Sequence, residues 1–443
     1  MTPGDTAPTL RQIDRRFTAL TALRWLPSGL SVPTMVLLMQ ERGLDVRTVG
    51  ILLAVLAAAI IVLELPSGGF ADVVGRRNSL LICGSLSALA ALGFALSPGI
   101  GAFAVTILVH AVAKALDSGP LKAWYVDAAQ SLDPDVDLTP GFARAATAES
   151  LGLGAGALLA GGLVAIAPLP AAEGPILALS VPYLAGSCLT LLSLGLVARW
   201  VHDPPRQRAL VVREIVTREV PATMARGVRL AVTRGPLRSI ALYIIALGVA
   251  LSGVELLAPT AFSGFFGGGS AASGFYSVLV TAGFAGSALG ASLAPRVAQL
   301  VRGSRRGAGL ATAVAALGIC GLAVPLVGFA AAGYFLVFLL LGIASPLVDE
   351  ATQSATPSDQ RATVGSVMSL AMQSGGVLAN VVCGALAASV ALPMGVGVIA
   401  LGLVLGAVAI VTSTSTSGDR RTRTSREHPA GDPWTAGQPA GRP

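Results

Sequence analysis

Long apolar runs alternate with short charged stretches along almost the whole chain. Each run is roughly 20 residues long, which is the length that crosses the hydrocarbon of a bilayer as a helix. Lipid offers backbone groups no hydrogen-bond partners, so such runs must be helical, and a barrel would show short alternating strands instead. Six runs fall at about 17–39, 48–70, 79–97, 101–123, 143–167 and 175–200. Six more follow at about 238–262, 272–294, 307–327, 331–348, 361–389 and 391–412. The pattern predicts an all-α membrane protein whose twelve transmembrane helices form two pseudo-symmetric six-helix bundles, 17–200 and 238–412. Residues 1–16 read as a polar cytoplasmic tail, 201–237 as a basic linker and 413–443 as a disordered tail rich in Ser, Thr, Arg, Gly and Pro. Pro27, Gly29 and Pro33 predict a bend in the first helix.

Composition agrees with that pattern. The chain is 53% hydrophobic and 12% charged, with a mean hydropathy of +0.75, whereas a soluble chain carries about 25% charge. A net charge of +7 alone would suit a nucleic-acid binder, but its distribution does not. Among all Lys and Arg residues only Arg42 and Arg47 fall on the side away from the termini, and only Arg24 and Lys114 fall within spans. The positive-inside rule then places both termini in the cytoplasm of a cell inner (plasma) membrane. In the linker, Val211, Val212, Ile215 and Val216 alternate with charge at helical spacing, which suits helices lying on the membrane surface or a solvated connection. The first run is too long for the core of a signal peptide. Cys83, Cys188, Cys320 and Cys383 lie in apolar runs without pair spacing and read as small buried hydrophobes.

Ionisable groups inside spans carry the sharpest functional information, because burying charge in lipid is costly. His110, Lys114 and Asp117 are spaced by four and three, which puts them on one helical face. At about 1.5 Å per residue Asp117 lies roughly 9 Å from the inner end of helix 4. Glu64 and Arg24 lie at similar depth on helices 2 and 1, so Arg24 is expected to pair with Glu64, Asp117 or both. One of these carboxylates is a candidate proton carrier, since losing its cationic partner would raise its pKa toward the working pH. Glu255, just before Pro259, has no cation nearby in sequence and is a candidate contact for a cationic substrate. Ser366, Gln373 and Asn380 form a polar stripe at spacings of seven on helix 11, suited to substrate contact or to helix packing. With Arg24, His110 and Lys114, the residues Glu255, Gln373 and Asn380 make up the candidate substrate cavity.

Between the second and third runs stands Gly68-Gly69-Phe70-Ala71-Asp72-Val73-Val74-Gly75-Arg76-Arg77. The spacing G-x-x-x-D-x-x-G-R-[KR], at this place in a twelve-helix chain, resembles the signature of the major facilitator superfamily. Glu64-Leu65-Pro66-Ser67-Gly68 and the Arg361-Ala362-Thr363 start of helix 11 resemble its drug-efflux-like branch. The resemblance implies a gating latch between the bundles, carried here by Gly68, Asp72, Gly75, Arg76 and Arg77, with Asp127 as partner for an arginine. Val73 departs from the usual basic residue. After helix 8, Gly290 and Arg296 repeat part of the motif, but Ala294 replaces the acid, so the second copy reads as a degenerate loop. The glycines of helix 5 (Gly152, Gly154, Gly156, Gly161 and Gly162) partly resemble an antiporter motif, with Ala157-Leu158 in place of Gly-Pro, and equally suit close helix packing.

Neither those glycines nor Gly267-Gly268-Gly269 form a phosphate loop. No cofactor is expected, and an ion gradient is the expected energy source. His110, His202 and His428 have no metal-ligand spacing, so an enzyme is not expected. The resemblance implies a monomeric secondary transporter that exchanges protons for a small amphipathic organic compound or drug by alternating access. Two alternatives stand beside it: a proton-coupled importer of a sugar or organic anion, and a non-transporting membrane sensor or scaffold.

Overall fold

In the computed structural model the described residues are 8–67, 74–117, 119–167, 174–202, 235–356 and 360–412, with Arg229 and Thr233 besides. They contain 12 helical segments long and apolar enough to cross a membrane. The first half comprises α1 (Leu10–Ser31), α2 (Met35–Glu41), α3 (Val46–Ser67), α4 (Arg76–Leu96), α5 (Ile100–Leu116), α6 (Pro120–Gln130), α7 (Thr139–Ile166) and α8 (Val181–Trp200). The second comprises α9 (Gly235–Phe266), α10 (Gly269–Leu300), α11 (Ser304–Ile319), α12 (Val327–Ala355), α13 (Arg361–Ser389) and α14 (Leu392–Thr412). An even number of spans brings both ends of the chain to one face, called here the terminal face; the other is the distal face.

Several helices differ from the hydropathy runs, each for a local reason. The first helix begins at Leu10, within the stretch expected to be a polar tail. Thr9 and Gln12 form a reciprocal capping box, with Thr9 N donating to Gln12 Oε1 at 3.0 Å. Ile13, Phe17 and Leu20 then bury one face while Arg11 and Arg15 stay exposed. The first span is broken at Pro33, which lacks an N–H donor, so α1 and α2 are separate pieces. The fourth span, expected as one helix, is broken between Asp117 and Pro120. Gly119 there has φ +139°, a left-handed value that favours glycine, and Pro120 opens α6 where a missing N–H costs nothing. Asp127 consequently sits on a helix rather than in an acidic loop. The degenerate loop expected after helix 8 is also corrected. Gly290 and Ala294 are helical and buried within α10, which continues past Pro295 to Leu300. A Cβ on Gly290 would lie 2.0 Å from the Leu339 carbonyl oxygen of α12, so this glycine serves close packing.

Small residues set the seams between helices, as membrane packing requires. A Cβ on Gly156 of α7 would meet the Leu26 carbonyl oxygen at 2.4 Å, bringing α7 onto α1. Farther along α7, Gly161 faces Ser277 and Gly274 of α10, so the same glycine-rich helix also joins the two bundles. Opposite it, Gly50 of α3 packs on α13, where an added Cβ would lie 2.3 Å from the Asn380 carbonyl oxygen. Both seams between bundles tighten toward the distal face.

The buried side chains divide accordingly. One continuous core fills the distal half and draws on both bundles, from Leu37, Leu53 and Phe94 to Leu257, Phe262 and Tyr334. Toward the terminal face there are two cores instead. One belongs to the first bundle (Ile13, Phe17, Leu80, Trp124, Tyr125) and one to the second (Leu237, Tyr243, Ile343, Leu347). The bundles are thus closed together distally and part company toward the terminal face.

Candidate functional site

A cavity of about 630 Å³ lies inside the first bundle, between α1 and α5. It is backed by α4 and α8 through Cys83, Ser87, Thr190 and Ser193, and it reaches from Phe94 and Tyr183 to Lys122, Phe142 and Glu149. Arg24, His110, Lys114 and Asp117 all line it, so four of the predicted residues come together here. The break after Asp117 gives this wall its shape. Asp117 caps the end of α5, so its carboxylate projects from a helix terminus instead of from a continuous helix.

Arg24 and Asp117 form an ion pair across the cavity. Their side chains are 17% and 41% exposed, so the pair is open to water although it lies inside a bundle. The Cys83 thiol approaches Asp117 Oδ1 at 3.6 Å. Glu64 does not join this pair. It lies near the terminal end of α3, where the Ser369 hydroxyl of α13 donates to its carboxylate oxygens at 3.3 and 3.4 Å across the bundle boundary. The two candidate carboxylates therefore have different surroundings: one pairs with a cation inside a bundle, and the other accepts from a hydroxyl between bundles.

Lys114 lines the cavity, whereas Glu255 of α9 is not among its lining residues. Both Lys114 and Glu255 are exposed although they sit mid-span among packed helices. Aromatic groups pair within each bundle. His110 meets Phe94 edge-on with ring centroids 5.9 Å apart, and Phe94 lies 5.3 Å from Tyr183. In the second bundle Tyr276 and Tyr334 meet edge-on at 6.0 Å. The Ser369–Glu64 contact was beyond sequence reasoning, because spacing along one helix says nothing of a helix in the other bundle.

The polar stripe of α13 divides. Asn380 is buried at the α3 seam, with its Oδ1 lacking a hydrogen-bond partner among the described residues. It does not line the cavity, and its place is that of helix packing. Gln373 is half-buried and likewise does not line the cavity.

Of the expected latch, Gly68 and Asp72 lie outside the described residues. Gly75 is buried and precedes α4 with φ +97°. Arg76 Nε lies 3.5 Å from Asp127 Oδ2 on α6, and Arg77 Nη2 donates to the Ala198 carbonyl of α8 at 2.9 Å. These bonds run within the first bundle, whereas the resemblance implied a tie between bundles.

The distal closure has polar contacts that the sequence did not flag. Gln40 Nε2 donates to Thr260 Oγ1 at 2.8 Å. The Glu41 carboxylate accepts from Gly269 N at 3.0 Å and from Ser270 Oγ at 3.3 Å, at the N-terminus of α10. A carboxylate is favoured there by the free amides and the helix dipole.

The sequence model described as the Major Facilitator Superfamily matches residues 17–380. The chain belongs to the major facilitator superfamily. It is a multi-pass secondary transporter of that family, not an enzyme. Solved structures with the same fold include the nucleoside transporter NupG, at TM-score 0.70 and 14% identity, covering 90% of this chain and 98% of that one. A bacterial homologue of the iron transporter ferroportin in its inward-facing state gives TM-score 0.70 at 14% identity, covering 92% of this chain and all of the other. A bacterial homologue of the lysosomal transporter Spinster, inward-facing and unoccupied, gives 0.67 at 13% identity, with 92% and 96% covered. At such identities these likenesses concern the fold alone. An uncharacterized MFS-type transporter, YxaM of Bacillus subtilis (strain 168), is 32% identical over 111 residues. That match spans 24% of this chain and 27% of that relative.

Proposed function

We propose that this transporter couples proton movement to export of a small amphipathic organic compound, with both termini in the cytoplasm of the plasma membrane. The observation that carries this reading is the water-accessible Arg24–Asp117 pair lining the cavity between α1 and α5. A carboxylate that can exchange one cation for a proton is the simplest coupling element a membrane interior can hold. When Asp117 takes up a proton, Arg24 is released to bind an anionic group or to turn toward water. When the proton leaves, the pair re-forms and neutralises the wall. The cavity, lined by aromatic and aliphatic groups with a few charges, suits a compound with an apolar body and polar ends. The basic terminal face supports the cytoplasmic assignment. On that assignment Arg76, Arg77 and Asp127 brace the first bundle while the cytoplasmic side is open, and Asp72 would engage when it closes.

The test is transport in proteoliposomes with an imposed pH gradient, following efflux of compounds first found to bind the purified chain. The pH dependence should vanish in Asp117→Asn, in Glu64→Gln, or in both. Gradient-driven transport that keeps its pH dependence in both variants removes the coupling role. A second reading, import of an organic anion, is favoured by the cations Arg24 and Lys114, with the His110 ring beside them, along the cavity. The sign of net movement under the same gradient separates the two.

A further inference from the structure

Every residue that lines the cavity lies between Phe17 and Val197, so the first bundle supplies the whole wall. The charges of that wall do not cancel. Arg24, Lys114 and Lys122 stand against Asp117 and Glu149, which leaves one cation in excess. Arg24 and Asp117 are engaged with each other. Lys122 and Glu149, of opposite sign, both lie toward the terminal end. Lys114 differs. Among the described residues it forms no hydrogen bond and no ion pair, although it belongs to a membrane-spanning helix. An ionised side chain inside a span is retained where it meets a counter-charge or lines a watery path. The cavity gives Lys114 the path, and the wall gives it no acid of its own.

Aromatic groups stand beside this cation. His110 lies one turn earlier on the same face of α5. Its ring meets Phe94 edge-on at 5.9 Å, and Phe94 lies 5.3 Å from Tyr183. All three rings line the same end of the cavity. We infer that this end is a binding site for an aromatic carboxylate, held at its charged end by the Lys114 ammonium and at its ring by Phe94, His110 and Tyr183. The carboxylate balances the excess cation and accepts a charge-assisted hydrogen bond, the stronger kind. The ring finds edge-on and offset partners beyond simple area burial. A cationic analogue meets the ammonium as a like charge, and the acid nearest along α5, Asp117, is already engaged by Arg24. A neutral analogue gains only the ring contacts. This inference rests on the reading of the cavity as the substrate's place, but not on proton coupling or on direction.

The experiment is equilibrium binding to the purified full-length chain, by thermal shift and calorimetry, using matched probes. The first set is benzoate, benzylamine and benzyl alcohol. The second is 3-phenylpropionate, phenethylamine and acetate, the last an anion without a ring. In each set the aromatic carboxylate is expected to bind at least about tenfold more tightly than the other members, the gain of one charge-assisted contact or of one ring's burial. Lys114→Gln should remove the advantage over the amine and the alcohol. Lys114→Arg keeps the charge and should keep the order, which separates loss of the cation from a folding defect. Overturning results are an amine or the alcohol binding as tightly as its carboxylate, acetate binding as tightly as 3-phenylpropionate, no binding by either aromatic carboxylate, or Lys114→Gln leaving the order unchanged. Carboxylate binding without pH-driven transport would sink the coupling proposal and leave this one standing. The reverse result would do the opposite.

Discussion

The distal and terminal halves of this molecule are built from the same twelve helices but are held together differently. Distally a single core spans both bundles, backed by close backbone contact at Gly50 and Asn380 and by hydrogen bonds from Gln40 and Glu41. Terminally each bundle has its own core, and Arg76 and Arg77 bind inside their own bundle. The difference teaches where the energy of this conformation lies. Most of it is stored in small-residue seams and polar contacts on the distal side, beside the terminal Ser369–Glu64 hydrogen bond. The charged residues Arg24, Lys114, Asp117 and Glu255 lie mid-span between these two ends. Alternating access then requires the distal seams to open as new terminal ones form.

The comparison can be broken most severely at Gly50. Gly50→Leu places a side chain where even a Cβ would collide with the Asn380 carbonyl. Distal closure is then barred, and transport should fall more than about tenfold, since well-packed backbone crossings cannot yield by small shifts. Transport of a bound probe in proteoliposomes checks this, with folding confirmed by size-exclusion profile. Next comes Asp117→Asn, which leaves the Arg24 cation without its partner. Transport should fall about tenfold and the midpoint of thermal unfolding should drop by a few degrees, the loss being limited by the water that reaches the pair. Glu41→Gln should act more mildly. Losing a carboxylate at the α10 N-terminus weakens the distal seal by about 1 kcal/mol, or roughly fivefold in the closed-to-open ratio. Labelling of a cysteine placed at Ala261, buried in this seal, should quicken by that factor. Arg76→Ala is the smallest of the four. Its partner Asp127 is 42% exposed, so the pair is worth about 0.5 kcal/mol and transport should change by about twofold or less.

Much of the fold was legible in hydropathy alone, because lipid permits only long apolar helices and the chain supplies twelve. Helix ends were less legible. Ile13 and Phe17 extend α1 along an amphipathic face that a window for apolar runs overlooks, and α10 passes through Pro295, where a proline reads as a stop. The break at Gly119-Pro120 did have a signal, a glycine and proline pair, masked by the strong hydropathy around it. Of the site, depth along the helices led to a pairing of Arg24 with Glu64, Asp117 or both, of which the structure forms the Asp117 pair. The Ser369–Glu64 contact did not follow from the sequence, since no local pattern encodes which helices meet across the bundle boundary. Asn380 shows the opposite failure: a polar residue in a stripe reads the same whether it faces a cavity or a seam. Glu41 escaped notice because a carboxylate at a helix end in a short loop looks like any solvated charge.

The most direct test is a pair of distances measured by double electron–electron resonance in lipid nanodiscs. Spin labels go on exposed positions in a background with the four cysteines replaced. Ile100 and Val390 report on the distal face, and Leu132 and Leu300 on the terminal face. The otherwise unaltered chain should give a short, narrow distal distribution and a long terminal one. In Gly50→Leu the distal distance should lengthen and the terminal distance shorten together. A distal distance that lengthens while the terminal one stays fixed would contradict the account, because the two halves would then not be the two ends of one rocking motion.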